Sequence, residues 1–211
     1  VMKKLILLLL FIPLLLFSQN TNSVYNDLDK LIEKNIDPSQ PGIIANIYSE
    51  TSDLDWSKSF GINDISKNNP LNKFDQFRIA SVTKTFVAAT ILRLWEEDKI
   101  NIDDPISKYI SKEHYNILIK GNYNPEIIAV RNLLNHSSGL YDHTNHSNFF
   151  NKVFENPSYK WTRTEQISAC VEWGNPVGIT GNQFKYSDTG YVILGDIIEN
   201  ITGLSLDSSM K

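Results

Sequence analysis

Ser81-Val82-Thr83-Lys84 is the stretch on which the fold turns. Residues three apart on a helix share a face, so a serine hydroxyl and a lysine amine at this spacing can meet. The residues that follow favour a helix. Val82, Phe86, Val87, Ile91, Leu92 and Trp95 recur at mixed spacings of three and four over residues 81–98. Arg78-Ile79-Ala80 reads as the approach to its N-terminus. A nucleophile there faces unpaired backbone N–H groups and the positive end of the helix dipole. Both favour the negative charge that develops in acyl transfer. Lys84, one turn on, can take the hydroxyl proton when desolvation leaves it neutral. On their own, four such residues are more simply a serine N-cap followed by an exposed lysine. The surrounding sequence has to decide.

The chain has 211 residues, 41% hydrophobic and 21% charged, a globular balance that argues against disorder. That length suits one domain with a core, or part of a larger one. A formal net charge of −4 and the absence of a basic stripe argue against nucleic acid as a partner. Cys170 is the single cysteine, so no intrachain disulfide can form and stability rests on the core. In Ser168-Ala169-Cys170-Val171 it reads as a small buried hydrophobe. Lys3-Lys4 and the apolar run from Leu5 to Phe17 resemble a secretory signal peptide over residues 1–19, with Ser18 or Gln19 before the cut. The run contains Pro13 and falls short of the roughly 20 residues of a membrane span. The expectation is a secreted or periplasmic protein with no stable membrane span after cleavage. The alternative is an uncleaved N-terminal anchor.

Along the chain, residues 24–35 read as a helix ended by Pro41-Gly42. Residues 42–48 and 55–62 read as the two strands of a hairpin, and residues 63–74 as a polar loop. Asn101 to Pro105 is a turn, followed by a short amphipathic piece ending near Ile110. Arg131 to Leu134 fits a helical turn ended by Ser137-Ser138-Gly139. Residues 141–159 show no clear period and read as a surface excursion. Residues 161–173 suit a helix. Residues 191–200 form a second strong one, with Leu194, Ile197, Ile198 and Ile201 on one face and Gly203 as its stop. Strands followed by many helices point to an α+β fold over residues 20–211, with no linker or internal repeat inside it.

Four blocks, in order, carry a resemblance. They are Phe77-Arg78-Ile79-Ala80-Ser81-Val82-Thr83-Lys84-Thr85-Phe86; Asp103-Asp104-Pro105-Ile106-Ser107-Lys108-Tyr109; Arg131-Asn132-Leu133-Leu134-Asn135-His136-Ser137-Ser138-Gly139-Leu140; and Tyr186-Ser187-Asp188-Thr189-Gly190-Tyr191 leading into Leu194-Gly195-Asp196. Together they resemble the class C β-lactamase-related serine hydrolases, a family that includes D-alanyl-D-alanine carboxypeptidases, D-amino-acid peptidases and β-lactamase-like esterases. The resemblance covers about residues 40–205. It implies a β-lactamase/transpeptidase-like fold, an antiparallel sheet flanked by an all-helical subregion. It further implies an acyl-enzyme mechanism on D-amino-acid peptides, β-lactams or esters. Ser81 would be the acylated nucleophile, with its own backbone N–H as one oxyanion donor. Lys84 would take the hydroxyl proton or tune the group that does. Tyr186, from the Tyr-x-Asn motif, would shuttle protons to the leaving group and from the deacylating water.

Two departures qualify what the resemblance implies. Asp188 stands where asparagine is commonest. An ionised Asp188 beside Lys84 would favour the ammonium form and weaken it as a base. Either Asp188 points elsewhere, or the Lys84–Tyr186 pair shares its proton differently; Asp188 is also a candidate substrate-binding residue. The family's third motif, Lys- or His-Thr/Ser-Gly on a strand, has no match between Tyr186 and Lys211. The expectation is a C-terminally truncated chain with an incomplete sheet, inactive by itself. The alternative function is a catalytically inactive β-lactamase-like binding protein or a dead fragment. Tyr141, after the Gly139-Leu140 turn, is a candidate to line the substrate cleft. His136, His143 and His146 lack metal-ligand spacing, so neither metal nor cofactor is expected. The expected partner is a small-molecule or peptide acyl substrate.

Overall fold

The computed structural model describes residues 21–64 and 66–211, and the segment read as a signal peptide lies outside them. The chain folds as two compact units, one ending at Arg78 and the other spanning Ile79–Lys211.

The first unit holds α1 (Thr21–Asn35) and an antiparallel hairpin of β1 (Ile43–Ser49) with β2 (Leu54–Phe60). Its register runs from Ile43 opposite Phe60 to Ser49 opposite Leu54. β-Branched Ile43, Ile44 and Ile47 favour the pleated backbone, and Asp53 closes the turn at φ +47°. Asp29 ties α1 to β2. Its carboxylate accepts the Trp56 indole N–H at 3.0 Å and pairs with Lys58. Trp56 is buried, so its N–H needs such a partner. Residues 63–74, expected as a loop, contribute to a small ladder of β3 (Ile62–Asp64) with β4 (Asn69–Pro70). Strands this short carry no readable period.

The second unit is helical. Its elements are α2 (Thr83–Glu96), α3 (Lys112–Lys120), α4 (Val130–Leu134), α5 (Ser147–Glu155), α6 (Arg163–Trp173), α7 (Asp188–Thr202) and α8 (Leu206–Ser209). α7 is the hub and packs against α2, α4, α6 and α8. Its Ile193, Leu194, Ile197 and Ile198 are fully buried. Each contributes about 1.5–3 kcal/mol of transfer free energy. Gly203 ends α7 at φ +69°, a left-handed cap that glycine adopts without a Cβ penalty. α6 starts with a capping box. The Glu165 N–H donates to Thr162 Oγ1 at 3.2 Å, and the Thr162 N–H donates to Glu165 Oε2 at 2.9 Å. That Thr162 N–H, then the Tyr159 hydroxyl, pull the Glu165 carboxyl down to about 2. Arg163 crosses to α7 and donates to both oxygens of Glu199 at 2.8 and 3.0 Å. Cys170 is buried in this core, and burial pushes its thiol up to about 11.

Antiparallel strands in the first unit and a helical second unit make the chain α+β, as expected. α2 forms where the spacing placed a helix and buries Val87, Ile91 and Leu94, while Phe86, Leu92 and Trp95 on it and Val82 before it are exposed. A helix apolar on most sides does not declare its buried face through period alone. α3 was not expected. Ser111 caps it by accepting the His114 N–H at 3.2 Å, and His114 and Leu118 point one turn apart into the core. The stretch read as a surface excursion contains a 3-10 turn, His143–Asn145, and then α5. His146 caps α5 by accepting the Asn148 N–H at 3.2 Å. Histidine is not a usual cap residue, so the helix start gave no signal. Among the described residues, no helix is long and apolar enough to cross a membrane.

Candidate active site

Ser81 lies in a 3-10 turn, Ala80–Val82, that runs into α2 at Thr83. The hydroxyl is therefore at a helix N-terminus, as expected. Ala80 enters the turn at φ +45°. A left-handed backbone costs a residue with a Cβ roughly 1–2 kcal/mol. Strain of this kind persists where surrounding structure holds it, and it collects at functional sites.

Two groups converge on the hydroxyl. Lys84 Nζ donates to Ser81 Oγ at 3.0 Å, across the single turn foreseen from the spacing. Tyr186 Oη lies 2.9 Å from the same oxygen, although it is 105 residues distant in sequence. Ser81 is exposed, while the Lys84 side chain retains only 16% of its exposure. A sheltered cation thus stands beside an accessible hydroxyl. Lys84 Nζ also stands 5.0 Å from the Tyr186 ring centroid and 5.7 Å from that of Tyr191, both within cation–π range.

Tyr186 is held by the loop after α4. His136 stacks on its ring at 4.3 Å and 28°. The His136 carbonyl accepts the Lys185 N–H at 2.7 Å, and its Nδ1 accepts the Ser187 N–H at 3.2 Å. Accepting at Nδ1 places the proton of the neutral ring on Nε2. Burial, and after it the Lys84 charge, lower the proton affinity of His136 and keep it neutral. The Tyr141 carbonyl fixes the next residues, accepting from Ser187 Oγ at 3.4 Å and Thr189 Oγ1 at 2.9 Å.

Asp188 opens α7 and forms an ion pair with Lys84. Asp188 does not point elsewhere: its carboxylate meets the lysine. Burial alone would lower the proton affinity of Lys84. The Asp188 carboxylate, and then Tyr186, outweigh it and hold Lys84 above the ordinary lysine range. The second Asp188 oxygen accepts the Thr144 hydroxyl at 3.0 Å. Thr144 was not singled out in the sequence. Its signal was the Asp142-His143-Thr144 order, in which Asp142 Oδ1 accepts the Thr144 N–H at 3.1 Å.

Tyr141, a candidate to line the cleft, contacts Gly174. Its ring packs on Gly174, where an added Cβ would stand 2.0 Å from Tyr141 Cγ. Its ring therefore serves helix packing, and its carbonyl serves the site. The other histidines are dispersed. His143 Nδ1 lies 2.8 Å from Thr189 Oγ1, and His146 stacks on Trp173 at 5.0 Å. Among the described residues, no group of three or more metal-ligating side chains converges.

An open recess of about 520 Å³ lies beside Tyr186 and Asp188, lined also by Asn145, Phe184 and Lys185. A second, about 360 Å³, lies on the side of Lys84 that faces His143, Gln166 and Arg163. A larger cavity of about 840 Å³ in the first unit, along Gly42, Ile62 and Phe77, contains no candidate nucleophile.

A serine on a helix N-terminus, touched by a lysine one turn on and by a distant tyrosine, is the constellation of a β-lactamase/transpeptidase-like fold. The sequence pattern of the family described as Beta-lactamase matches residues 30–211, and the chain belongs to that family of β-lactamase-related serine hydrolases. It is similar to Protein flp of Staphylococcus aureus (strain N315), 28% identical over 86% of this chain and 34% of that protein. It is also similar to Penicillin-binding protein 4* of Bacillus subtilis (strain 168), 28% identical over 78% of this chain and 34% of that one. The chain thus spans about a third of the length of these curated relatives. Among solved structures, it resembles the octameric penicillin-binding protein homologue from Pyrococcus abyssi, with TM-score 0.69 and 28% identity over 89% of this chain and 41% of that one. A D-stereospecific amidohydrolase from Streptomyces sp. gives TM-score 0.62 and 28% identity over 74% of this chain and 44% of that one.

Proposed function

We propose that the protein containing this chain is an exported serine hydrolase that forms an acyl-enzyme at Ser81. One observation carries the reading: Ser81 Oγ sits 2.9 Å from Tyr186 Oη and 3.0 Å from Lys84 Nζ. Nucleophile and proton acceptor are then already within hydrogen-bond reach. The Lys84–Tyr186 pair, once it has lost a proton, takes the one on Ser81. Oγ adds to the substrate carbonyl carbon. The oxyanion forms near the Ser81 backbone N–H and the positive end of α2. As the carbonyl re-forms, the bond to the leaving amine or alkoxide breaks, and Tyr186 supplies its proton. A water then attacks the acyl carbon, giving its proton to Tyr186; as the carbonyl re-forms, the bond to Ser81 Oγ breaks and Tyr186 returns the proton to Oγ.

The substrate class is an amide or ester whose carbonyl reaches an exposed serine: a D-amino-acid peptide, a β-lactam or a simple ester. The 28% identity to a D-stereospecific amidohydrolase and to a penicillin-binding protein homologue supports the first two. The Lys84–Asp188 ion pair favours a second reading, a binding protein that retains the fold without turnover. Burst kinetics separate the two. The full-length gene product is mixed with a chromogenic D-alanyl anilide, a chromogenic cephalosporin and a p-nitrophenyl ester. The hydrolase reading expects a stoichiometric product burst, or sustained turnover, with at least one. Binding of all three without product release supports the second reading.

A further inference from the structure

We infer that Thr144 is a positioning residue that sets how strongly Asp188 retains a proton on the Lys84–Tyr186 pair, and so the pH at which Ser81 becomes reactive. The inference rests on the acyl-enzyme chemistry proposed for Ser81. Thr144 Oγ1 lies 3.0 Å from Asp188 Oδ2 and 2.9 Å from Asp142 Oδ1. A threonine has one hydroxyl proton, so it serves one of these carboxylates at a time. Asp142 Oδ1 also accepts the Thr144 backbone N–H at 3.1 Å, so Asp142 keeps a donor from Thr144 when the hydroxyl turns to Asp188. The other Asp188 oxygen, Oδ1, pairs with Lys84. The charge of Asp188 is thus divided between a neutral donor and the ammonium.

The groups around Asp188 come from every neighbouring element. Lys84 comes from α2 and His136 from the loop after α4. Asp142 and His143 belong to the turn that carries Thr144. Lys185 and Tyr186 precede α7, Tyr191 lies on it, and Arg163 comes from α6. Arg163 is committed to Glu199 and the Val192 carbonyl. Burial lowers the proton affinity of both His136 and His143, so both are already neutral at neutral pH and have no charge to lose as pH rises. Lys84 and Tyr186 are the groups that touch Ser81 Oγ, and Asp188 is the carboxylate paired with Lys84.

The sign follows. Ser81 meets a base only after one proton leaves the Lys84–Tyr186 pair. Whichever of the two gives it up, an adjacent carboxylate opposes the loss and moves it to higher pH. A hydroxyl bonded to that carboxylate takes up part of its charge and moves the loss back to lower pH.

The test is the pH dependence of covalent labelling by a fluorophosphonate, measured on the full-length gene product, with circular dichroism to check folding. Thr144→Val is expected to raise the midpoint by about half a unit to one unit. Thr144→Ser restores it. Asp188→Asn moves it the opposite way, down by about one unit. Thr144→Ala replaces Thr144→Val if the latter does not fold. Midpoints that coincide with wild type, or a Thr144 variant that moves downward, overturn the inference while Ser81 still labels. A wild-type protein that does not label at all overturns the acyl-enzyme reading together with this one.

Discussion

Ser81→Ala is expected to reduce kcat/KM on any hydrolysed substrate by about 10³- to 10⁶-fold. The range is wide because residual activity depends on what oxyanion stabilisation survives without the nucleophile. The loss should come with an unchanged fold. Ser81 is exposed at the start of α2, and its hydroxyl bonds only to Lys84 and Tyr186 among the described residues. Ala80 keeps its left-handed turn, and the buried face of Val87, Ile91 and Leu94 is untouched. Thermal unfolding of the variant should match wild type within about a degree or two, since surface changes away from special features stay within about 0.5 kcal/mol. Turnover retained within tenfold would place the nucleophile elsewhere.

Tyr186→Phe has the second largest expected effect, a fall of about 10²- to 10⁴-fold in kcat. The substitution removes one oxygen and keeps the ring. Phenylalanine can still stack on His136 at 4.3 Å, and the main-chain bonds of Lys185 and Ser187 to His136 do not involve the side chain. KM should therefore change little while kcat falls, as expected when an interaction made in the transition state is lost. A fall smaller than tenfold would assign proton transfer to Lys84 alone. Such a result would be hard to reconcile with the Asp188 carboxylate that holds the lysine charged.

The Ser81–Lys84 contact was legible because both residues lie on one turn of a helix, where spacing alone brings them together. Tyr186 was legible for another reason. No period connects it to Ser81, and only the resemblance of the Tyr186-Ser187-Asp188 block placed it in the site. The two strands of the hairpin, α6 and α7 followed directly from apolar pattern and caps. What escaped depends on contacts between distant segments. Tyr141 follows a glycine turn, a position compatible with a cleft. Its ring instead fills the space left by Gly174, thirty-three residues on, and no local pattern encodes that pairing. Thr144 sits in a stretch of Asn, His and Ser with no period. Its role exists because α7 delivers Asp188 to its hydroxyl, 44 residues away. The apolar pattern placed the α2 helix without saying which of its sides is buried. Phe86, Leu92 and Trp95 are as apolar as its buried face, so composition could not tell the two sides apart.

The most direct measurement is a peptide map of the full-length gene product after incubation with benzylpenicillin or a fluorophosphonate. One adduct per chain is expected, on the peptide that contains Ser81, and it should vanish in Ser81→Ala. An adduct on any other residue, or an unmodified Ser81 peptide in a folded sample that binds the reagent, would contradict acylation at Ser81.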